Sequence, residues 1–217
     1  MLVGERMSKP VITASPDTSI QEALKRMQSN SIRRLPVLNK QGKLVGIVSE
    51  RDLLHASPSD ATSLSIWEMN FLLSQITISD VMTKDVVTAE FDTPVEIAAR
   101  IMADTKIGGV PVTKNGELVG IITETDLFKI FLEMLGAYTE GIRATVMIPN
   151  IPGELSQITS AIHKAGGNII SLSTALGDST ATGEVILKVE SVGLDELRSL
   201  LEPMVEEIVD LREMGSG

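Results

Sequence analysis

The stretch Gly46-Ile-Val-Ser-Glu-Arg-Asp-Leu-Leu54 decides the fold, because the chain contains a second version of it, Gly120-Ile-Ile-Thr-Glu-Thr-Asp-Leu-Phe128. Each version begins as an apolar strand and ends as the first turn of a helix. A hydroxyl residue stands where the strand stops, and an aspartate, Asp52 or Asp126, follows three residues later. The junction therefore combines a hydroxyl, a carboxylate and free backbone N–H groups, which suits a phosphorylated, hydroxyl-bearing ligand such as a nucleotide.

The duplication extends well beyond this stretch. Residues 7–18 match residues 82–93 at an offset of 75, and one deletion in the Lys40–Gly42 turn changes the offset to 74. Each repeat is predicted to contain a short strand, a helix, two strands joined by a tight turn, and a second helix. In the second repeat the turn is Asn115-Gly116, a residue pair that strongly favours a hairpin.

Outside the repeats, the chain shows two further patterns. Between the two repeats, residues 65–74 are predicted to form a helix. This helix contains Trp67 and is expected to pack against the repeats or a partner subunit. From residue 142 onwards the pattern predicts a strand, a helix, two strands, a helix at 194–201 and a last strand at 204–211. This βαββαβ order is that of a small ferredoxin-like unit.

Composition limits the classes of function. The net charge of −10 argues against nucleic acid as a partner, although residues 1–54 carry a balance of +4 that would attract an anion. The absence of cysteine excludes disulfides, thiolate catalysis and Cys-ligated zinc. Without a membrane-spanning apolar run or the apolar core of a signal peptide, we expect a cytoplasmic protein with no membrane partner.

No catalytic constellation is present in the sequence. The two histidines, His55 and His163, lie far apart and have no ligand-spaced partners, so neither a metal site nor a general base is predicted. No Walker loop, nucleophile elbow or HExxH motif occurs. We therefore expect a protein without catalytic residues, metals or cofactors, in which a nucleotide acts only as a regulatory ligand.

Residues 7–130 resemble a tandem pair of cystathionine-β-synthase (CBS) domains, together called a Bateman module. The resemblance is carried by the two Gly-hydrophobic-hydrophobic-Ser/Thr-x-x-Asp segments and by the strands Leu35-Pro-Val37 and Val110-Pro-Val112. It implies a pseudo-twofold pair that encloses two clefts for adenosine nucleotides. It also implies that the Asp accepts hydrogen bonds from the ribose and that basic residues before the Leu-Pro-Val strand meet the phosphates.

The resemblance assigns residues to both clefts. One is expected to combine Thr123, Thr125 and Asp126 with Val11, Ile12, Ile32, Arg33 and Arg34. The other is expected to combine Ser49, Arg51 and Asp52 with Val86, Val87, Ile107, Gly108 and Gly109. Because only the first cleft has two guanidiniums for bidentate phosphate contacts, we predict that it binds an adenine nucleotide more tightly. The Ser/Thr-x-x-Asp spacing is also that of a capping box, a role that is compatible with ligand binding.

Residues 142–213 resemble an ACT domain, through Asn150-x-Pro-Gly-x-Leu155 and Gly166-Gly-Asn-Ile169. The resemblance implies that the turn after the first strand binds a small effector, often an amino acid, between paired domains. The predicted effector residues are Asn150, Pro152, Gly153, Leu155 and Asn168. The alternative is that Pro152-Gly153 only makes the turn and that Asn168 occupies a left-handed helix cap.

The segment Ala61–Leu73 resembles the AcuB-type acetoin utilisation proteins, which share the CBS–CBS–ACT order. We therefore expect an α+β fold with a pseudo-twofold CBS pair followed by a ferredoxin-like βαββαβ ACT domain. The predicted boundaries are 1–60 for the first CBS domain, 61–81 for a connecting loop and helix, 82–136 for the second CBS domain and 137–217 for the ACT domain.

The predicted function is that of a homodimeric regulatory sensor with an unidentified target enzyme and a link to acetoin metabolism. It would bind an adenine nucleotide in the CBS pair and an amino acid at the ACT domain. Two alternatives stay open at this point. One is an interaction scaffold with empty pockets, and the other is a small enzyme acting on acetoin.

Overall fold

The computed structural model describes residues 1–56, 76–176 and 181–215. The chain divides into two units, Met1–Leu127 and Phe128–Gly217. The predicted helix at 65–74, with Trp67, and the AcuB-like segment at 61–73 lie outside the described residues.

The first unit consists of two similar halves. Its helices are α1 (Val3–Arg6), α2 (Ile20–Ser29), α3 (Glu50–Ala56), α4 (Ile78–Val81) and α5 (Val95–Thr105). Its strands are β1 (Arg34–Leu38), β2 (Leu44–Ser49), β3 (Ala89–Glu90), β4 (Gly109–Lys114) and β5 (Glu117–Thr123). Strands β1 and β2 form one antiparallel hairpin and β4 and β5 the other, and β3 lies parallel to β4. Helix α6 (Glu124–Met134) follows β5 directly and continues into the second unit.

The predicted strand, helix, hairpin and helix occur in both repeats, with one difference in the first strand. In the second repeat this strand is β3, whereas in the first repeat it is only a bridge between Ala14 and Val37. Helix α2 begins after Ser19, because the side chain of Ser19 accepts a hydrogen bond from the Glu22 backbone N–H at 3.2 Å.

Each repeat receives the segment that precedes the other one. We call residues 1–10 and 76–85 the lead segments. The first lead segment pairs with β5, where the Ser8 N–H donates to the Ile121 carbonyl at 2.9 Å. The second pairs with β2, where the Thr83 N–H donates to the Ile47 carbonyl at 3.0 Å, and its Ile78 is buried in the core of the first repeat. This reciprocal exchange gives the first unit its pseudo-twofold arrangement.

The glycine that opens each nine-residue stretch makes room for a methionine of a lead segment. A Cβ atom at Gly46 would overlap the sulfur of Met82, and one at Gly120 would overlap the sulfur of Met7. The duplicated Gly and the duplicated Met therefore form two equivalent contacts, one on each hairpin.

The second unit has the predicted βαββαβ order. It contains β6 (Gly141–Pro149), α7 (Glu154–Lys164), β7 (Asn168–Leu176), β8 (Thr182–Glu190), α8 (Leu194–Leu201) and β9 (Glu207–Met214). The strands form an antiparallel sheet in the order β7-β8-β6-β9. The last strand begins at residue 207 rather than 204, because a 3₁₀ turn at Glu202–Met204 follows α8.

The two helices of this unit cover one face of the sheet. Ile158 and Ile162 of α7 and Leu197 and Leu201 of α8 are fully buried against the inward side chains of β6 and β8. On β8 the neighbouring Lys188 is also buried, and its Nζ donates to the Gly136 carbonyl at 2.9 Å. Because successive side chains of a strand point to opposite faces, Lys188 and Gly136 lie on the side away from the helices.

Candidate functional site: the cavity at Ser49 and Asp52

The junction between β2 and α3 is closed by hydrogen bonds between Ser49 and Asp52. One oxygen of Asp52, Oδ2, accepts from the Ser49 N–H at 2.8 Å and from the Ser49 hydroxyl at 2.7 Å. The second junction repeats this geometry, because Asp126 Oδ2 accepts from the Thr123 N–H at 2.9 Å and from its hydroxyl at 2.7 Å. The capping role considered from the sequence is therefore present at both junctions.

A third Thr-x-x-Asp shows that this motif alone does not define a ligand site. At the start of the short helix α4, Asp80 Oδ2 accepts from the Thr77 N–H and from the Thr77 hydroxyl, both at 2.9 Å. The hydrogen bonds from the Thr77 backbone and side chain hold the pKa of Asp80 below its ordinary value. What distinguishes a binding site must therefore be the surroundings of the junction.

The first junction opens into a cavity of about 490 Å³. Its lining contains four cationic residues, three carboxylates and an apolar strip. The residues are Arg33, Arg34, Ile47, Ser49, Glu50, Arg51, Asp52, Thr83, Asp85, Val86, Val87, Lys106, Ile107, Gly108, Gly109 and Pro111. This set includes all of the residues predicted for the Asp52 cleft.

Arg33 and Arg34 also line this cavity, which differs from the predicted grouping with Asp126. The reason is the register of the hairpin, in which Arg34 of β1 pairs directly with Ser49 of β2. The strand that begins with the arginine therefore lies beside the junction of its own repeat. In the structure, the residues predicted from the Ser49–Asp52 junction and those predicted from the second repeat line one cavity. Arg33 and Arg34 line the same cavity.

The Arg34 side chain extends over the backbone of the glycine pair in the second repeat. A Cβ atom at Gly108 would overlap Arg34 Nη2 and lie 2.6 Å from Glu124 Oε2, and one at Gly109 would lie 3.3 Å from Arg34 Cδ. The absence of side chains at Gly108 and Gly109 thus provides the space that the guanidinium occupies. Burial lowers the pKa of Arg34, Glu124 and Asp52 oppose this shift, and the neighbouring charge of Arg33 adds to it.

The other residues predicted around Asp126 do not line this cavity. They are Val11, Ile12, Ile32, Thr123, Thr125 and Asp126. At the second junction Asp126 Oδ1 accepts a long hydrogen bond from the Ser8 hydroxyl at 3.4 Å. Ser8 belongs to the lead segment that pairs with β5, so this part of the predicted grouping, a lead segment beside the opposite junction, is present.

Several lining residues were not predicted from the sequence. Lys106 ends α5 in a left-handed conformation with a φ of 56°, directly before the predicted Ile107. Thr83 and Asp85 precede the predicted Val86 in the lead segment, and Glu50 follows the predicted Ser49. Each is a sequence neighbour of a predicted residue, so extending the predicted segments by a few positions would have included them.

The second unit has a cavity of about 420 Å³ at the turn between β6 and α7. Four of the five predicted effector residues, Asn150, Pro152, Gly153 and Leu155, line it, together with residues that include the carboxylates of Glu154 and Glu184. Gly153 is the residue before α7 and has a φ of 106°, a conformation that favours glycine.

Asn168 is not brought to this cavity. It begins β7, six residues before Thr174, which does line the cavity, and six strand residues span about 20 Å. Its side-chain amide donates to Glu190 Oε1 at 2.6 Å. The left-handed residue after α7 is Gly166, with a φ of 81°, so Asn168 is not the helix cap that was considered as an alternative.

Comparisons with known proteins identify the class. The family model of the CBS domain matches residues 3–59 and 78–133, and the model of the TTHA0829-like ACT domain matches residues 140–212. The chain therefore belongs to the CBS domain family, with a tandem CBS pair followed by an ACT domain.

Two curated relatives illustrate the extent of the match. A CBS domain-containing protein of Dictyostelium discoideum is 38% identical over 136 residues, which are 62% of this chain and 94% of that protein. The L-aspartate semialdehyde sulfurtransferase of Methanocaldococcus jannaschii is 36% identical over 131 residues. The match covers 60% of this chain but only 23% of the sulfurtransferase, so the two chains share only that part of the enzyme.

Three solved structures are similar to the CBS part of the chain. The CBS domain pair of protein MJ0100, in complex with 5′-methylthioadenosine and S-adenosyl-L-methionine, is 36% identical with a TM-score of 0.51 over 60% of this chain and 95% of that one. A putative acetoin utilization protein (AcuB) of Vibrio cholerae is 30% identical with a TM-score of 0.53, covering 63% and 93%. CBSX2 in complex with AMP is 29% identical with a TM-score of 0.52, covering 61% and 97%.

Within residues 1–56, 76–176 and 181–215, none of the helices combines the length and the apolar character that crossing a bilayer requires.

Proposed function

We propose that this protein is a non-catalytic regulatory sensor whose Ser49–Asp52 cavity binds an adenine nucleotide of the AMP, ADP and ATP class. The observation that carries the proposal is that the cavity contains both cationic side chains and a carboxylate, Asp52, with one oxygen available for a ligand. Asp52 Oδ2 is occupied by Ser49, whereas Oδ1 accepts no hydrogen bond from the described residues. Arg33 and Arg34 line the same cavity.

The chemistry of the lining matches the three parts of such a ligand. A carboxylate oxygen accepts hydrogen bonds from ribose hydroxyls, and guanidiniums bind phosphate in a bidentate manner. The side chains of Val86, Val87 and Ile107 provide apolar contact for an adenine ring. Similar CBS pairs have been solved with AMP and with S-adenosyl-L-methionine, which supports an adenosine ligand for this chain.

Among adenosine ligands, the charges favour those that carry phosphate. The lining has four cationic residues and only three carboxylates. The cationic residues are Arg33, Arg34, Arg51 and Lys106, and the carboxylates are Glu50, Asp52 and Asp85. An anionic phosphate is attracted by this set, whereas the uncharged adenosine gains nothing from it. We therefore expect AMP to bind more tightly than adenosine.

The experiment is isothermal titration of AMP into the wild-type protein and into two matched variants, Asp52→Ala and Asp126→Ala. Both variants lose the same helix cap, but only the first loses the carboxylate of the cavity. Loss of a charged hydrogen-bond acceptor for ribose corresponds to about 1.5–3 kcal/mol, so Asp52→Ala is expected to weaken AMP binding about 10- to 100-fold.

The control variant Asp126→Ala is expected to change AMP affinity much less. A greater loss in Asp126→Ala than in Asp52→Ala would contradict the assignment and favour the other junction. A wild-type protein that binds neither AMP, ADP nor ATP would favour the alternative of an interaction scaffold with empty pockets.

We further propose that the ACT unit binds an amino acid in the cavity at Asn150 and Gly153. The specific observation is the combination of Glu154 and Glu184 with the start of α7. Carboxylates attract the ammonium group of an amino acid, and the N-terminus of a helix attracts its carboxylate.

A calorimetric screen of the common amino acids tests this second proposal. We expect binding of at least one amino acid, weakened by Glu184→Gln. The outcome against it is the absence of binding heat for every amino acid at millimolar concentration. The proposed role also includes homodimer formation and an unidentified target enzyme. It further includes a link to acetoin metabolism, which the likeness to the AcuB protein supports.

A further inference from the structure

The position of Glu124 relative to Arg34 carries an inference about how the cavity is regulated. We infer that Glu124 competes with bound phosphate for the Arg34 guanidinium and thereby sets the affinity of the Ser49–Asp52 cavity for nucleotides. The inference rests on the proposed function of that cavity and adds a residue from outside its lining.

The first observation is geometric. Arg34 Nη2 and Glu124 Oε2 converge over Gly108, where a single added carbon would contact both of them. No side chain separates the two groups at this point, because residue 108 is a glycine. A charged guanidinium and a carboxylate at such short range attract each other even with partial solvent exposure.

The second observation concerns the partners of Arg34 among the residues that the structure describes. Among the described residues Arg34 makes no hydrogen bond and no close ion pair, and the carboxylates that act on it are those of Glu124 and Asp52, Glu124 with the larger effect. Five N–H donors on a half-buried guanidinium thus remain available to a ligand. Of the described carboxylates, Glu124 has the largest effect on this guanidinium.

The third observation is the asymmetry between the repeats. At the offset of 75 the counterpart of Arg34 is Gly109, and at the offset of 74, which applies after the hairpin turn, the counterpart of Glu124 in the first repeat is Glu50. The first repeat therefore supplies a guanidinium where the second supplies only backbone. The pairing of Arg34 with Glu124 has no equivalent on the other side of the pseudo-twofold axis.

These observations determine the direction of the effect. When a phosphate enters the cavity, Arg34 can neutralise it only to the extent that its attraction to Glu124 is lost or shared. Removal of the Glu124 charge therefore favours the phosphate, mainly because Arg34 is released and to a smaller extent because a direct repulsion between two anions is lost. A ligand without phosphate should be insensitive to the same change.

The experiment is a double-mutant cycle with AMP and adenosine as probes, measured by isothermal titration on the full chain. Glu124→Gln is expected to tighten AMP binding about twofold to tenfold, the range of partly exposed ion pairs, and to leave adenosine unchanged. In the Arg34→Gln background, Glu124→Gln should tighten AMP binding clearly less than it does in the wild-type background.

The matched control is Glu117→Gln, which changes the net charge by the same amount at the opposite end of β5. It should leave AMP affinity unchanged. An unchanged AMP affinity in Glu124→Gln, equal tightening for adenosine, or equal tightening in the Arg34→Gln background would overturn the inference.

The result also separates this inference from the proposed function. AMP binding that is weakened by Asp52→Ala but unaffected by Glu124→Gln would leave the cavity assignment intact and reject the role of Glu124. Absence of AMP binding in both the wild type and Glu124→Gln would reject both.

Discussion

At the scale of single residues, glycines determine how the two repeats fit together. Gly46 and Gly120 occupy equivalent positions, and each lies against the sulfur of a methionine from the opposite lead segment, Met82 or Met7. Gly108 has a different role, because the space above it is filled by the Arg34 guanidinium. In all three cases the missing side chain matters because of a residue that is distant in sequence.

Replacing Gly46 by alanine tests the first of these contacts. The added methyl group would overlap the Met82 side chain and would lie 3.2 Å from the Thr83 carbonyl oxygen, which the hydrogen bond from the Ile47 N–H holds in place. We expect Gly46→Ala to lower the free energy of unfolding by about 1–3 kcal/mol, the usual cost of overpacking, in urea unfolding followed by circular dichroism.

Two further variants distinguish overpacking from a general effect of alanine in a strand. In Gly46→Ala/Met82→Ala the space is restored, so the loss should be smaller than the sum of the two single losses. Gly183→Ala on β8 adds the same methyl group where the nearest atom is 3.8 Å away, and it should not destabilise the protein. Additive losses in the double variant would argue against the contact.

At the same scale, Asp52 and Asp126 show how little a local motif decides. Both make the same hydrogen bonds to the hydroxyl residue three positions earlier, and Asp80 makes them as well. Asp52 and Asp126 nevertheless differ in the ligands that they can contact, because the side chains around them differ. The sequence predicted the hydrogen bonds, but it did not predict that the arginines would stand beside Asp52.

At the scale of elements, hairpin register explains the placement of the arginine pair. Arg34 begins β1 and Ser49 ends β2, and antiparallel pairing across the Asn39–Gly42 turn makes them direct neighbours. The turn was identified from the sequence, so counting residues outward from it would have placed Arg34 beside Ser49. The family resemblance alone gave a different grouping.

Short helices were the elements that the sequence did not reveal. α1 and α4 each contain four residues, which is far less than the 11 to 18 residues over which a helical period can be read. Both helices matter, because they begin the lead segments that cross to the opposite repeat. Their buried residues, Val3 and Ile78, are part of cores built mainly by other segments.

Strand length explains why Asn168 is far from the effector cavity. The motif that contains Asn168 follows α7 and stands at the start of β7. The cavity is lined by the turn before α7 and by the far end of β7. The resemblance to an ACT domain assigned residues from both ends of the helix to one site. The helix and the strand instead separate them.

At the scale of the whole molecule, a second copy of the chain is the expected partner. Helix α6 exposes Phe128, Phe131 and Met134 to solvent by 57% or more of each side chain. Apolar side chains clustered in this way favour association. Native mass spectrometry of the purified protein should therefore show a species of twice the 23.3 kDa chain mass.

The same spectrum would report bound nucleotide as an additional mass. We expect Phe131→Glu to shift the population towards the single chain, because a carboxylate on an apolar contact loses solvation without gaining a partner. An exposed substitution of the same kind elsewhere, Gln41→Glu in the first hairpin turn, is the control and should leave the dimer intact. A single chain as the main species at micromolar concentration would contradict the homodimer.

The sequence by itself determined the duplication, the strand-to-helix junctions and the βαββαβ order of the second unit. These features depend on local periodicity, on turn residues and on one copy matching another, all of which can be read along the chain. It also determined the hydrogen bonds that close each junction, because their partners are three residues apart.

Only the tertiary structure decided which side chains share a cavity. Arg34, Asp52 and Gly108 are separated by up to 74 positions, and their proximity results from strand register, crossed lead segments and the length of one arginine side chain. The difference between Arg33-Arg34 and Gly108-Gly109 predicts that the clefts are unequal, but it does not predict which junction the arginines lie beside. The inequality of the clefts arises where a guanidinium in one half faces bare backbone in the other.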